Sequence, residues 1–266
     1  MRKPASIAAL IFLLWATTSE AFFFDTVGPS KASSAPSWTR LQGNLTQSAS
    51  TVSSLAFTTQ NNTANSLLIA TVTQYYGQTS TPSGDVTITD SAGNTWGTAY
   101  SHWWTYQTGS WVYVGVFYAV NTQGNQKITV NVGNYHPSVV DCEVAVEEYS
   151  GNATSSPLDG SAANGLMTSY GSGNQTISGP QITTSTNGDL IFAYCFDWGG
   201  NVTAISQGTG YSLGQYTLTD LAGPGGTEYE TQTSSGSVTP TFAITASGPL
   251  TNQFFIVAAA FKAAGH

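Results

Sequence analysis

One pair of carboxylates in the chain has a spacing that could support acid–base chemistry. Glu228 and Glu230 are two residues apart in a segment with strand-like alternation, so both would project from one face with about 7 Å between their Cα atoms. A glycosidase needs two carboxyl groups about 5–9.5 Å apart. Glu148 is a weaker candidate because its partner would have to come from another strand. A solvated strand face is the commoner use of such residues, so the sequence favours a protein without catalysis over a glycoside hydrolase.

Aromatic residues form a second group with chemical potential, in a predicted β-hairpin over residues 99–120. If residues 107–110 are its loop, Trp104 faces Tyr113 and Tyr106 faces Trp111 across the hairpin. Sugar rings stack on aromatic faces, and neighbouring amides can bond their hydroxyls. Cross-strand aromatic pairs also stabilise sheets without binding any ligand, so a core role is the alternative. The predicted glycan-binding strip comprises Tyr100, Trp104, Tyr106, Trp111 and Tyr113.

Metal ligands and cysteines give weaker signals. The three histidines lack the spacing of a zinc or copper site. Oxygen-rich loops could hold a structural calcium ion, although Asp and Asn are also ordinary turn residues. Cys142 and Cys195 lie in strand-like segments and predict either a disulfide, if the compartment is oxidising, or two buried thiols. The loops considered for calcium contain Asp85, Asp90 and Asn94, or Asp159 and Asp189.

Short β-rich segments separated by turn residues must position these groups, and no segment has a helical period. Residues 65–70 resemble residues 187–192, and residues 144–149 resemble residues 256–261. We therefore predict an all-β antiparallel sandwich over residues 38–264 with two pseudo-equivalent halves, about 38–150 and 175–264. A polar loop over residues 160–174 would join the halves. Two tandem smaller sandwiches are the alternative.

The segment from Asp141 to Gly160 lies where one half ends and the next begins. In its strand, Val144 and Val146 would face the core, while Glu143 and Glu147 would face solvent. Glu148 is the exception, because the alternation places it on the apolar face. It must be partly buried and partnered there, unless the strand has already twisted open.

Several segments together resemble a widespread group of secreted bacterial β-sandwich modules. They are NSLLIATV, VTITDSAGNTW, VYVGVFYAVNTQGNQKITVNV, AVEEYSGNATSSPLDGSAANG, TTSTNGDLIFAY and FIVAAAFKAA. The resemblance implies a jelly-roll or concanavalin-like sandwich. That group is largely without assigned activity, so the resemblance carries over no catalytic residue.

The N-terminus and the charge balance bear on the compartment. Residues 1–21 read as a signal peptide, with an apolar core too short to span a bilayer. The mature chain would then be secreted and free of the membrane, with residues 22–37 as an N-terminal segment. Its four cations against thirteen acids argue against a nucleic-acid partner. Phe22–Phe24 would be either an edge strand or a donor strand for a neighbouring subunit.

The sequence therefore predicts a secreted, acidic, non-catalytic β-sandwich that binds or adheres to polysaccharides or cell-surface glycans through exposed rings. Its alternatives are a glycan-active hydrolase and a self-associating structural subunit of an extracellular fibre. No cofactor is predicted apart from the calcium ion that the oxygen-rich loops could hold.

Overall fold

Antiparallel β-strands account for all the regular structure in the described part of the chain. The computed structural model describes residues 37–48, 54–58, 62–77, 80, 82, 86–107, 109–125, 127–133, 139–167, 170–218, 223–251 and 253–266. The predicted leader and Phe22–Phe24 lie outside these residues. Within them, no helix has the length and apolarity that a membrane crossing requires.

Two five-stranded sheets form the centre of the molecule. The first has the order β1-β8-β3-β6-β5 and the second has the order β9-β18-β12-β15-β14. Their strands are β1 (Thr39–Ser48), β3 (Leu67–Tyr76), β5 (Gly97–Gln107), β6 (Ser110–Val120), β8 (Val139–Ser150), β9 (Leu158–Met167), β12 (Leu190–Asp197), β14 (Ser212–Thr217), β15 (Gly225–Thr231) and β18 (Phe254–Phe261).

Smaller sheets complete each half. The orders β2-β7-β4 and β10-β17-β13 form two three-stranded sheets, and β11 pairs with β16 alone. These strands are β2 (Ser54–Thr58), β4 (Thr87–Asp90), β7 (Thr129–Gly133), β10 (Gly173–Ser178), β11 (Ile182–Thr184), β13 (Val202–Ser206), β16 (Gly236–Val238) and β17 (Thr241–Ala246). The strand order of the first half thus recurs in the second, with β11 and β16 added.

The register confirms that the halves are equivalent and corrects their alignment. Leu67 pairs with Tyr149 between β3 and β8, and Leu190 pairs with Phe261 between β12 and β18. The sequence comparison matched Leu67 with Asp189, which is one residue out. The left-handed turn residues before the two strands, Asn65 and Gly188, also correspond in the corrected alignment. Their N–H groups bond equivalent carbonyls, at residues 121 and 232.

Three main apolar clusters lie between the sheets. The central cluster joins the two five-stranded sheets through residues such as Ile69, Val114, Phe192 and Val257. A second cluster fills the space between the first five-stranded sheet and the strands β4 and β7. A third lies between β12, β18 and the sheet β10-β17-β13. We call the second and third clusters the outer cores of the first and second halves. Each five-stranded sheet therefore buries both of its faces, which explains why β3, β12 and β18 read as nearly continuous apolar runs.

The prediction of an all-β antiparallel sandwich is confirmed, and all described strands belong to one compact unit. The predicted loop over residues 160–174 is wrong, since β9 occupies residues 158–167 and forms an edge of the second central sheet. Small residues misled the prediction there. Ser161, Ala162, Ala163 and Gly165 have low strand propensity, but pairing with the apolar strand β18 holds them extended.

Candidate functional site

The aromatic hairpin formed by β5 and β6 has a different register from the predicted one. Trp103 pairs with Tyr113 and Trp104 pairs with Val112, while irregularities interrupt the pairing near Ala99 and Tyr106. A one-residue slip moves every side chain to the other face of a strand. The predicted alignment of Trp104 with Tyr113 on one face is therefore wrong.

The rings of the predicted strip separate into different environments. Tyr113 is fully buried and packs against Trp103, with 5.1 Å between ring centroids, in the outer core of the first half. Tyr100 and Trp104 are partly buried against the central cluster. Trp111 is also partly buried, and the side chain of Tyr106 lies outside the described residues. The strip is not a continuous exposed surface.

Two glutamates predicted to face solvent are instead buried between the central sheets. Glu143 accepts hydrogen bonds from Gln47 Nε2 at 2.5 Å and from the Tyr194 hydroxyl at 3.2 Å. Glu147 accepts hydrogen bonds from Arg40, Tyr149 and Thr227. The solvent-facing prediction is wrong because the second central sheet covers this face of β8.

Burial gives Glu143 an unusual proton affinity. It raises the pKa of Glu143 to about 7, although the bonds from Gln47 and Tyr194 lower it. A group that changes charge near neutral pH is thereby enclosed between the two halves.

Glu148, the exception on the apolar face of β8, is buried and fully partnered. Its Oε1 accepts hydrogen bonds from the Thr63 N–H at 2.7 Å and the Ser66 hydroxyl at 2.6 Å, and its Oε2 accepts one from Gln42. The alternative of a partnered carboxylate is thus confirmed. These bonds use its acceptor sites to hold the loop before β3, which indicates a structural role.

The pair Glu228 and Glu230 does share a face of β15, but its environment does not suit hydrolysis. Glu228 is 0% exposed, and the loop before β14 covers it through a 2.7 Å bond from the Gly208 N–H. Burial, together with the charge of Glu230, raises the pKa of Glu228 to about 8. Glu228 could carry a proton beside the half-buried Glu230, which resembles an acid–base pair. A polysaccharide substrate, however, cannot reach Glu228 beneath this loop. The alternative of a solvated face is wrong for Glu228.

Both cysteines are free and buried in different clusters. Cys142 lies in the outer core of the first half and Cys195 in the outer core of the second. The predicted disulfide is therefore not formed, and the alternative of two buried thiols holds. Burial raises the pKa of Cys142 to about 12, so its thiol is a small apolar group and not a nucleophile.

The carboxylates of the oxygen-rich loops, considered above as calcium ligands, have different partners in the structure. Both oxygens of Asp90 already accept bonds from the protein, including the Asn94 N–H at 3.0 Å and Trp96 Nε1 at 2.9 Å, so Asp90 closes a turn. Asp159 faces Lys262, which supplies positive charge there. Asp85 lies outside the described residues. Within the described ranges, no three metal-ligating acids, histidines or cysteines come together.

The open face of the sheet β10-β17-β13 carries a groove of about 360 Å³. Asn174, Thr245 and Ala204 form one rung across it, and Thr176, Ala243 and Ser206 form the next. Small residues on the central strand β17 form the floor, while the flanking strands form the walls. Its volume lies in the usual range for small-molecule sites, about 300–1,000 Å³. The lining residues are Asn174, Gln175, Thr176, Ala204, Ser206, Ala243, Ile244 and Thr245.

The groove was missed at the sequence level because none of its residues is chemically unusual. The only available signal was the alternation of Thr and Ala with buried Phe242 and Ile244 in β17, which predicts a strand with one open polar face. Its chemistry is uniform: amides, hydroxyls and methyl groups line it. Such a surface can exchange hydrogen bonds with an uncharged polar ligand but holds no group for bond cleavage.

Large apolar side chains stand exposed elsewhere, along one side of the central sheets. Leu41 is 40% exposed, Tyr216 is 52% exposed and Leu218 is 39% exposed. The first lies on the edge strand β1, and the others lie on or just after the edge strand β14, which packs beside β1. The two contacting edge strands thus each carry exposed apolar side chains, and we call them together the β1/β14 edge.

Comparison with known proteins adds no family to this description. No protein-family model matches the chain, and neither a curated protein nor a solved structure matches it. The resemblance to secreted β-sandwich modules, with its jelly-roll or concanavalin-like subdivision, stays a prediction. The fold and site define a two-halved β-sandwich with an uncharged surface groove.

Proposed function

We propose that the protein is a non-catalytic β-sandwich that binds glycan chains in the groove on β10-β17-β13. The observation that carries this proposal is the chemistry of the groove, which offers amides and hydroxyls on an open sheet face. Neutral sugars present the complementary donors and acceptors, together with C–H groups that suit Ala243 and Ala204. The predicted leader and the acidic chain fit an extracellular ligand without phosphate groups.

The affinity expected of one groove is low. Each new hydrogen bond replaces bonds with water and contributes about 0.5–1.5 kcal/mol. Among the described residues, none that lines the groove is aromatic, so stacking energy is not added. A few such bonds supply less than about 6 kcal/mol, and the cost of association offsets most of this, so one groove should bind a single sugar unit with a Kd well above about 1 mM. Binding to a repetitive polymer would be stronger because several sugar units can occupy the groove in turn.

Affinity electrophoresis through a panel of neutral polysaccharides tests this proposal. Ala243→Gln fills the groove floor from a half-buried position, so we expect retardation by the bound polymer to disappear without a change in Tm. Asn131→Gln is the matched control, because Asn131 lies exposed on β7 of the other half between buried valines. Unchanged retardation of the Ala243→Gln variant would refute the site. Loss of binding only in Trp111→Ala would favour the aromatic hairpin instead.

The β1/β14 edge supports self-association as a second candidate function, with another copy of this chain as the partner. Free edge strands pair readily unless charges protect them. No charged residue occurs from Ser212 to Leu218, and the guanidinium of Arg40 on β1 is bonded to Glu147. An antiparallel pairing of two β14 strands would cover Tyr216 and Leu218 of both copies.

Sedimentation across a range of protein concentrations tests this second candidate. We expect dimers of the unmodified chain and monomers of Tyr216→Lys, which places a charge on the edge. Thr203→Lys on the edge strand β13 is the control. A monomer at every concentration would exclude association through this edge.

A further inference from the structure

Asp159, Asp189 and Lys262 form a compact cluster at one end of the second central sheet. Asp159 lies in β9 at an irregularity opposite the end of β18, Lys262 directly follows β18, and Asp189 directly precedes β12. The Lys262 Nζ atom lies 3.7 Å from Asp159 Oδ1, with the lysine side chain 25% exposed and the aspartate side chain 4% exposed. An amine and a carboxyl group are thus held together at the edge of the protein interior.

Asp189 adds an acid to this pair. It is 0% exposed, and its Oδ1 accepts a 2.5 Å bond from the Thr186 hydroxyl. Its Oδ2 has no hydrogen-bond partner among the described residues. Burial and the neighbouring Asp159 together raise the pKa of Asp189 to about 6. A carboxyl in this position can hold a proton and exchange it with Asp159.

Asp159 is held in a fixed orientation. Its Oδ1 accepts a 2.5 Å bond from the Ser185 hydroxyl, and its Oδ2 accepts a bond from the Ser185 N–H. Burial alone would raise the pKa of Asp159, but the bonds from Ser185 lower it on balance. Both carboxyl oxygens of Asp159 are therefore supported by donors, and Oδ1 is also the oxygen that lies 3.7 Å from Lys262 Nζ.

We propose that Lys262 and Asp159 condense into an intramolecular amide. The ammonium first gives a proton to the Asp159–Asp189 carboxyl pair, and the amine nitrogen then attacks Cγ of Asp159. The Ser185 N–H stabilises the negative charge that develops on the carboxyl oxygen. A new N–Cγ bond forms, the nitrogen gives its second surplus proton to Asp189, and one Cγ–O bond breaks. That oxygen leaves as water, carrying the two protons that the nitrogen gave up and that the two carboxyl groups relay, so Asp189 ends in its starting protonation state. Ammonium and carboxylate thereby become amide and water, with no oxidant or co-reactant.

The position of this bond would give it a mechanical role. It joins the first strand of the second half, β9, to the residue after its last strand, β18. These strands are neighbours in the sheet, but β9 forms its edge and is the strand rich in small residues. A covalent link would prevent β9 from peeling away and would constrain the unfolded chain, as other long-range crosslinks do.

Peptide mass mapping of the full-length, denatured protein tests the proposal. Trypsin should cleave after Lys127, while the modified Lys262 should resist cleavage. The expected product is one peptide over residues 128–266, lighter than its sequence mass by one water. Further cleavage after Glu228 and Glu230 should leave the fragments that contain Asp159 and Lys262 joined.

Variants assign the bond to these side chains. Lys262→Arg keeps the charge but should restore the full mass, and Asp189→Asn should abolish or slow condensation because an amide carries no carboxyl proton. Lys127→Arg is the control and should retain the deficit of one water. Release of free residues 263–266 from the wild-type protein, with no mass deficit in the remaining fragment, would overturn the proposal. A deficit that persists in Lys262→Arg would overturn it as well.

Discussion

Replacing Glu143 by Gln should remove part of the pH dependence of stability. The amide introduced by Glu143→Gln can still accept the bond from Tyr194, and the side chain of Gln47 can turn so that its oxygen accepts from the new amide. The side chain at this position would then be uncharged at every pH. Because Glu143 is enclosed by the second central sheet, the wild-type carboxyl favours its protonated form in the folded state.

The size of the expected stability loss follows from the pKa values of Glu143 in the unfolded and folded states. The pKa of Glu143 rises from an ordinary 4.5 to about 7, and each tenfold change in proton affinity is worth about 1.4 kcal/mol, which gives about 3 kcal/mol. A raised folded-state pKa means that this stabilisation is complete below about pH 4.5 and is lost as the pH rises through about 7. The wild type should therefore lose about 3 kcal/mol more than Glu143→Gln between about pH 4 and pH 8.

Urea unfolding at several pH values measures this difference. Glu228 and Asp189 also have raised pKa values, so both proteins should lose stability as the pH rises. Only the difference between the two proteins reports on Glu143. Parallel curves for the wild type and Glu143→Gln would refute the reasoning, since they would mean that Glu143 is hydrated or ionised throughout.

Three further predictions concern the same interior. Arg40→Met should reduce the free energy of unfolding by about 3 kcal/mol at neutral pH, because Glu147 then stays buried without its cation; urea unfolding checks this. Gly165→Ala should cost about 1–3 kcal/mol, since its new Cβ would lie 2.8 Å from the Trp104 ring; a lowered Tm is the readout. Both cysteines should react with a thiol reagent only after denaturation, and a reductant should leave Tm unchanged.

The fold class was predictable because strand alternation and turn residues are local properties. The recurrence of similar segments also indicated two equivalent halves, although the alignment at Leu67 was one residue out. The partnered state of Glu148 was predictable for a related reason: a carboxylate on an apolar strand face must find donors. β9 was missed because its small residues carry no local preference for a strand.

The candidate sites were less predictable because they depend on faces and registers. The irregularities in β5 shift its pairing with β6, so Trp104 faces Val112 and Tyr113 turns into the outer core. The groove on β10-β17-β13 depends on the positions of small side chains across three strands that are distant in sequence. No single segment contains it.

The sequence by itself determined that the chain folds as antiparallel strands with alternating apolar residues, since side-chain period and turn chemistry act within a few residues. Only the tertiary structure decided which strand faces meet water. Stacking the two central sheets covers faces that an isolated half of the molecule would leave open. This stacking buries Glu143 and Glu147, while the outer face of β17 stays only half-buried. Burial depends on partners more than 50 residues away, as the Tyr194–Glu143 bond shows with a separation of 51 residues.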